Sequence, residues 1–232
     1  VNVTTVGGAP GADISVRIRG ISTNGENKPI AIIDGYQGDL STLNPSDIES
    51  LTVLKDAQAA IYGTIGANGI ILVTTKTGKR NSKAKISFNT QTGIQEASRI
   101  LPTLSATEYA LMLNESYANG GNSLPFPNVS GLGKGTNWQK EILNQAPIIS
   151  YDLSISGGSE NISYAVSASH LDQEGIIGGD KSGFERNTGR IALSADVSDK
   201  LKMKTNIIYT LQSRKTINDN GLGSVLFNAL NV

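Results

Sequence analysis

The sequence predicts a fragment of a transmembrane antiparallel β-barrel, about five strands, preceded by a small α+β unit. Three observations predict it. From Lys85 onward apolar and polar residues alternate through segments of about ten residues, close to the 9–11 that a tilted strand needs to cross a bilayer. The connections between these segments run long, short, long, short, the rhythm of long outer loops and short inner turns. Residues 1–79 instead carry short strand and helix patterns in mixed order. A soluble β-sandwich would have shorter strands and no systematic alternation of loop length.

In the first unit, Ser15 to Gly20 reads as a strand, with Val16 and Ile18 on one face and Arg17 and Arg19 on the other. Pro29 to Gly35 is a second strand, closed by the turn pair Asp34-Gly35. Ser46 and Glu49 have capping-box spacing, which predicts a short helix there. Leu51 to Lys55 is a third strand, and Asp56 can N-cap the patch AQAAIY, which Gly63 can end. Gly69 to Lys76 is the fourth strand. The order β-β-α-β-α-β gives a small α+β domain. Gly63, Gly66 and Gly69 then read as helix stop, turn and start of a strand. A phosphate loop needs its glycines after a strand and before a helix, and these stand the other way round.

The alternating segments are 85–94, 148–157, 161–170, 189–197 and 201–212. They put Tyr151, Leu153, Ile155, Tyr164, Val166, Ile207 and Tyr209 on one face, expected to meet lipid. Ser154, Ser156, Ser167 and Asn206 fall on the other face, expected to meet a lumen. The connection 172–187 reads as a long loop, whereas 158–160 and 198–200 read as tight turns at one common end. The first long connection, about 95–147, carries a capped helix, Ser105 to Gly121 with Glu108 closing a capping box, and a second short helix, Asn137 to Pro147.

Composition excludes several classes. Twenty basic residues balance twenty acidic ones, so the basic excess of a nucleic-acid binder is missing. With no cysteine, neither a disulfide framework nor a Cys-based metal site can form. No apolar run is long enough for a membrane-crossing helix. His170 is the single histidine; with Asp172 and Glu174 it is too small a set for a metal site, and it leaves no catalytic Ser-His-Asp set. No enzyme and no cofactor are expected. The chain opens at Val1 in mid-strand pattern without Met, which reads as part of something longer.

VLKDAQAAIYGTIGANGIILVTTKTGK, with VRIRG and PIAIIDGYQGDLSTLNPSDIESLTVLKD upstream, resembles the end of the plug domain of SusC-like TonB-dependent outer-membrane transporters. NWQKEILNQAPIISYDLSISGGSENISYAVSASHLDQEGII resembles the first barrel hairpin of that family. The resemblance implies a plug over residues 1–79, incomplete at its start, and the first part of an outer-membrane barrel over 80–232, with an extracellular loop at about 95–147. The complete barrel would have about 22 strands. It also implies import of a bulky nutrient, an oligosaccharide first, with peptides, a siderophore or a vitamin as alternatives. The partners it implies are a SusD-like surface lipoprotein, the TonB complex and outer-membrane lipid. A non-transporting surface binding module is the competing class. Structural or gating roles fall on Arg17, Arg19, Gly20, Asp34, Gly35, Lys55, Asp56, Gly63, Gly66 and Gly69. Arg17 or Arg19 is expected to pair with a wall carboxylate, because a lone guanidinium is costly where water is limited.

Overall fold

The computed structural model describes residues 1–5, 7–18, 27–55, 58–218 and 221–230. Its strands form three sheets: β1 (Asn2–Thr5) with β2 (Ile14–Arg17), a four-stranded sheet, and a five-stranded sheet. The four-stranded sheet has the order β4 (Tyr36–Gly38), β3 (Ile30–Ile33), β6 (Ile70–Thr75), β5 (Ile48–Leu54). Its central pair, β3 and β6, is parallel and the outer pairings are antiparallel. Both central strands are continuous apolar runs because both of their faces are covered. Ile32 and Ile70 pack with Ala59 on one face. Ile71, Val73 and Leu43 form the core of the other, joined by Val16 and Ile18 from the β2 segment.

Asp34 (φ 51°) and Gly35 (φ 94°) both take positive φ between β3 and β4, as a two-residue hairpin turn requires. The expected helix at Ser46 is instead one 3-10 turn, Pro45–Asp47, and Glu49 lies in β5. The cap is Asn44, whose side chain accepts from the Ser46 backbone N–H. Beyond Asp47 the β-branched residues of β5 pair with β6, and this overrides the capping-box spacing. The patch before Gly69 is likewise 3-10 (Ala60–Asn68), broken at Gly63 (φ 68°). Strand β4 was not expected from the sequence pattern, and β1 lies where the chain reads as opening in mid-strand.

The five-stranded sheet is a simple meander in the order β11-β10-β9-β8-β7. Its strands are β7 (Ser82–Gln95), β8 (Ala146–Gly158), β9 (Ile162–Gly175), β10 (Gly179–Ser198) and β11 (Leu201–Lys215). All are longer than the ten-residue segments of the sequence reading. The expected loop at 172–187 is mostly strand: β9 and β10 stay paired to Gly175 and Gly179, with one register shift between Gly179 and Gly183. Charged residues there suggest a loop, but a ribbon whose outer face meets water needs no apolar outer side, and its inner face meets the first unit through Gln173 and Arg186. The turns after β8 and after β10 lie at the same end, where the Asp196 N–H donates to the Asn161 carbonyl (2.8 Å).

Between β7 and β8 stand helix α1 (Ala106–Asn119), with the expected Ser105–Glu108 capping box, and helix α2 (Trp138–Ile142). The latter is shorter than expected because β8 begins at Ala146, before Pro147. A last helix, α3 (Val225–Leu230), packs near α2.

Candidate functional site: the seam between the two units

The four-stranded unit lies against one face of the meander, and the alternation of each meander strand decides what it meets. Ser154, Ser156, Ser167 and Asn206 turn toward that unit. Tyr151, Leu153, Val166, Ile207 and Tyr209 turn away and are exposed, and Ile155 and Tyr164 share their face by register. The inner face of β11 adds one apolar contact, Ile208, which packs against the Leu43–Ile71–Val73 cluster.

The tightest part of the seam centres on Arg190 of β10, only 2% exposed. Its Nε donates to Asn206 Oδ1 (3.0 Å), and its Nη2 donates to Thr75 Oγ1 (2.5 Å) and to the Lys76 carbonyl (2.9 Å). Thr75 and Asn206 each pass the contact on to one carboxylate. The Thr75 hydroxyl donates to Asp34 Oδ2 (2.6 Å), and Asn206 Nδ2 donates to the same oxygen (2.5 Å). Asp34 Oδ1 accepts from the Thr75 backbone N–H (2.9 Å). Thr75 and Asn206 thus act as donor and acceptor at once, and the network leaves neither half-satisfied. The charge of Arg190 is offset by Asp47 and Asp34 nearby, as a buried cation requires.

A second group holds the turns before β5. Asp152 of β8 accepts from Asn44 Nδ2 (2.6 Å) and from Ser46 Oγ (2.9 Å). Above it, Arg186 and Gln212 both donate to the Ser41 carbonyl (3.2 and 3.1 Å), and Thr210 donates to the Thr42 carbonyl (2.8 Å). The linker from β6 to β7 is pinned at the short-turn end, where Arg80 pairs with Asp196 (2.5 Å). Gly78 sits there against the backbone of Gly157 and Tyr164, so close that a Cβ would stand 2.5 Å from the Gly157 carbonyl oxygen.

Of the residues singled out from the sequence, Asp34 is brought into this seam and Gly35 completes its turn. Arg17 is exposed, away from Arg190, and Lys55 is exposed at the end of β5. Arg19, Gly20 and Asp56 lie outside the described residues. Gly69 (φ 87°) donates its N–H to the Gly66 carbonyl (2.9 Å) and turns the chain into β6. His170 lies on the outer face, stacked on Tyr151 with Nδ1 2.8 Å from Asn187 Oδ1. The sequence reading looked for an arginine on the first unit and a carboxylate on the wall. Between the described elements the polarity is reversed, with the arginine on the wall and the carboxylate on the unit it holds. Arg190, Thr75, Asp152 and Gly78 were missed, whereas Asn206 had been placed on the inward face. The one available signal was Arg190 itself, a cation among small residues on an inward-facing row.

A family profile described as the TonB-dependent receptor plug domain matches residues 1–70. The TonB-dependent receptor SusC of Bacteroides thetaiotaomicron is 37% identical over 89% of this chain, which covers 21% of that protein. The chain is similar to the SusC-like TonB-dependent receptors. A TonB-dependent receptor of Formosa agariphila is 41% identical over 90% of the chain, again covering only 22% of the relative. The chain thus spans about a fifth of the length of these curated relatives. Among solved structures, the RagAB peptide importer in its open-open state matches 98% of the chain with a TM-score of 0.83 and 29% identity, over 29% of its own length. The profile match takes in β1 to β5 and ends at the first residue of β6.

Proposed function

We propose that the protein carrying this chain is a TonB-dependent outer-membrane importer of oligosaccharides, working with a SusD-like surface lipoprotein as lid. Residues 1–79 serve as plug, and 80–232 as the first wall strands of a barrel, with 95–147 outside the cell. The outward rows of Phe88, Leu153, Val166, Ile191 and Ile207 are exposed and suit contact with lipid. The observation that carries the reading is the plug seam itself. A plug tied to its wall by side-chain hydrogen bonds, with little apolar contact, suits a part that must be released and re-seated. The mechanism is gated passage: substrate is held between lid and plug until pulling by TonB breaks part of the seam. Arg17, with Arg19, is assigned to wall strands outside this chain.

A second reading keeps the transporter and takes peptides as cargo; the similarity to a peptide importer favours it. Uptake by a deletion strain decides between them, on a panel of defined glycans and peptides with and without a proton-motive-force uncoupler. Loss of energy-dependent glycan uptake on deletion supports the first reading, and loss of peptide uptake the second. Loss of neither points to a surface binding module.

A further inference from the structure

The seam is uneven. On the β10–β11 side it closes almost completely: the space bounded by Asp34, Thr75, Arg190 and Asn206 is about 30 Å³, room for about one water. On the β7–β9 side a cleft of about 260 Å³ separates the plug from the wall, enough for about eight waters. Its wall face is a row of hydroxyls, Ser87, Ser154, Ser156 and Ser167, and its plug face is Asn44 and Ser46. Lys76 and Lys85 on its rim are matched by Asp47 and Asp152, so it carries no net charge. Ser167 Oγ is buried, lines the cleft and has no hydrogen-bond partner. A buried hydroxyl left unpaired in a polar cavity is a site prepared for a polar visitor.

We propose that the passage opens along β7–β9, through this cleft, and that its hydroxyl and amide lining selects for neutral polyhydroxylated solutes such as oligosaccharides; the proposal rests on the importer reading above. The gate is small. On this side the described plug residues are held to the wall chiefly by the two hydrogen bonds that Asp152 accepts from Asn44 and Ser46. The Lys76 ammonium, donating to the Ser46 carbonyl (2.7 Å), ties that turn back to β6. Moving the turn 44–47 away from Asp152 widens the cleft while Arg190 still holds β6 to β10. A neutral polyol exchanges its hydrogen bonds to water for bonds to the serine row at little net cost. An apolar solute finds a mostly polar lining there, and a charged one finds no net field.

The test uses the full-length receptor in cells, with any cysteine outside this chain replaced. Single variants Ser154→Cys and Ser167→Cys report on the cleft, Ala192→Cys on the anchored side, and Val16→Cys on the plug's β2 strand. Each is labelled from outside with a glucose-conjugated maleimide and, in parallel, with N-phenylmaleimide, in TonB-energised and de-energised cells. The expected result is a rise of about tenfold or more in the energised-to-de-energised labelling ratio at Ser154 and Ser167 for the sugar reagent, with Ala192 unchanged. Equal labelling in both states at the cleft positions, or an equal rise at Ala192, overturns the proposed path. A rise confined to N-phenylmaleimide overturns the polyol assignment. The Val16 variant separates the two levels. If it responds to energy and the cleft does not, only the path falls. If no position responds, the TonB-driven reading falls with it.

Discussion

The guanidinium of Arg190 ends on the hydroxyl of Thr75, 2.5 Å away and separated by 115 positions in the chain. One donor thereby joins the last residue of the plug's central strand to the middle of a wall strand. Thr75 hands the contact on to Asp34, so the turn after β3 and the end of β6 are held by one side chain.

Arg190→Ala should loosen the plug. It removes three donated bonds and leaves Asp34 without its nearby counter-charge. Hydrogen bonds to charged groups contribute about 1.5–3 kcal/mol each before relaxation, and the deletions do not add. The expected outcome for the full-length receptor in lipid is a loss of plug stability of about 2–4 kcal/mol. It would be read as a lower urea midpoint for protease cutting within residues 27–55. Arg190→Lys keeps the charge and loses the fork, so it should fall between. A midpoint unchanged in Arg190→Ala would mean that the seam does not hold the plug.

Leu153→Arg tests which face of the wall meets lipid. Leu153 alternates with Asp152 and Ser154, which face the plug. Arginine on a lipid-facing row costs about 2–4 kcal/mol near the bilayer midplane. A refolding titration of the full-length receptor in lipid should show that loss. A near-wild-type midpoint would place Leu153 in water.

The wall was legible because a period of two leaves a mark in every strand: Ile149, Tyr151, Leu153 and Ile155 could be assigned to one face without any contact being known. The strand ends were not legible. Asp172, Glu174 and Asp180 look like loop residues, yet a β-ribbon beyond the apolar band carries charge freely. The plug's central strands were read from their unbroken apolar runs. The short β4 has too few residues to show a period. The seam was the least legible part. It joins Asp34, Thr75, Arg190 and Asn206, four ordinary residues whose relation exists only once two sheets meet. The DG turn betrayed Asp34's backbone role and not its side-chain role.

Helix α1 should respond to acid through Glu108. The Glu108 carboxylate accepts from the Ser105 backbone N–H and hydroxyl, both at 2.8 Å. These bonds hold its pKa below the usual carboxylate value. A folded-state pKa lower than the unfolded one gives stability that is present above the unfolded pKa and is lost as pH falls through the folded one. The first turn of α1 should therefore fray below about pH 4, the ordinary glutamate range. Hydrogen exchange at Thr107–Tyr109, corrected for intrinsic rates, checks this. Glu108→Gln keeps an acceptor that does not titrate, so its protection should not change with pH. Equal pH dependence in both proteins would assign the fraying to another group.

Gly78 should tolerate no side chain. The linker from β6 to β7 passes directly over the end of the β8–β9 hairpin, and a Cβ on Gly78 would stand 2.5 Å from the Gly157 carbonyl oxygen and 2.5 Å from the Tyr164 nitrogen. Both obstacles are backbone, so no rotamer change relieves them. The chain must shift, and neighbouring contacts resist: Arg80 is paired with Asp196, and the Asn81 N–H donates to the Ser159 carbonyl (3.1 Å). Overpacking of this kind costs about 1–3 kcal/mol. Gly78→Ala should therefore lower the urea midpoint of the full-length receptor, and Gly78→Val should lower it further. The displaced linker carries Lys76, whose carbonyl accepts from Arg190, so the same variants should raise protease cutting within residues 27–55. Gly121 provides the contrast. Its φ of 69° strains any replacement, but no atom lies within 4 Å of its Cβ position and it ends a helix remote from the seam. Gly121→Ala should leave cutting of the plug unchanged. If Gly78→Ala matches wild type in both measurements, the linker is free to move and the close approach does not fix the plug to the wall.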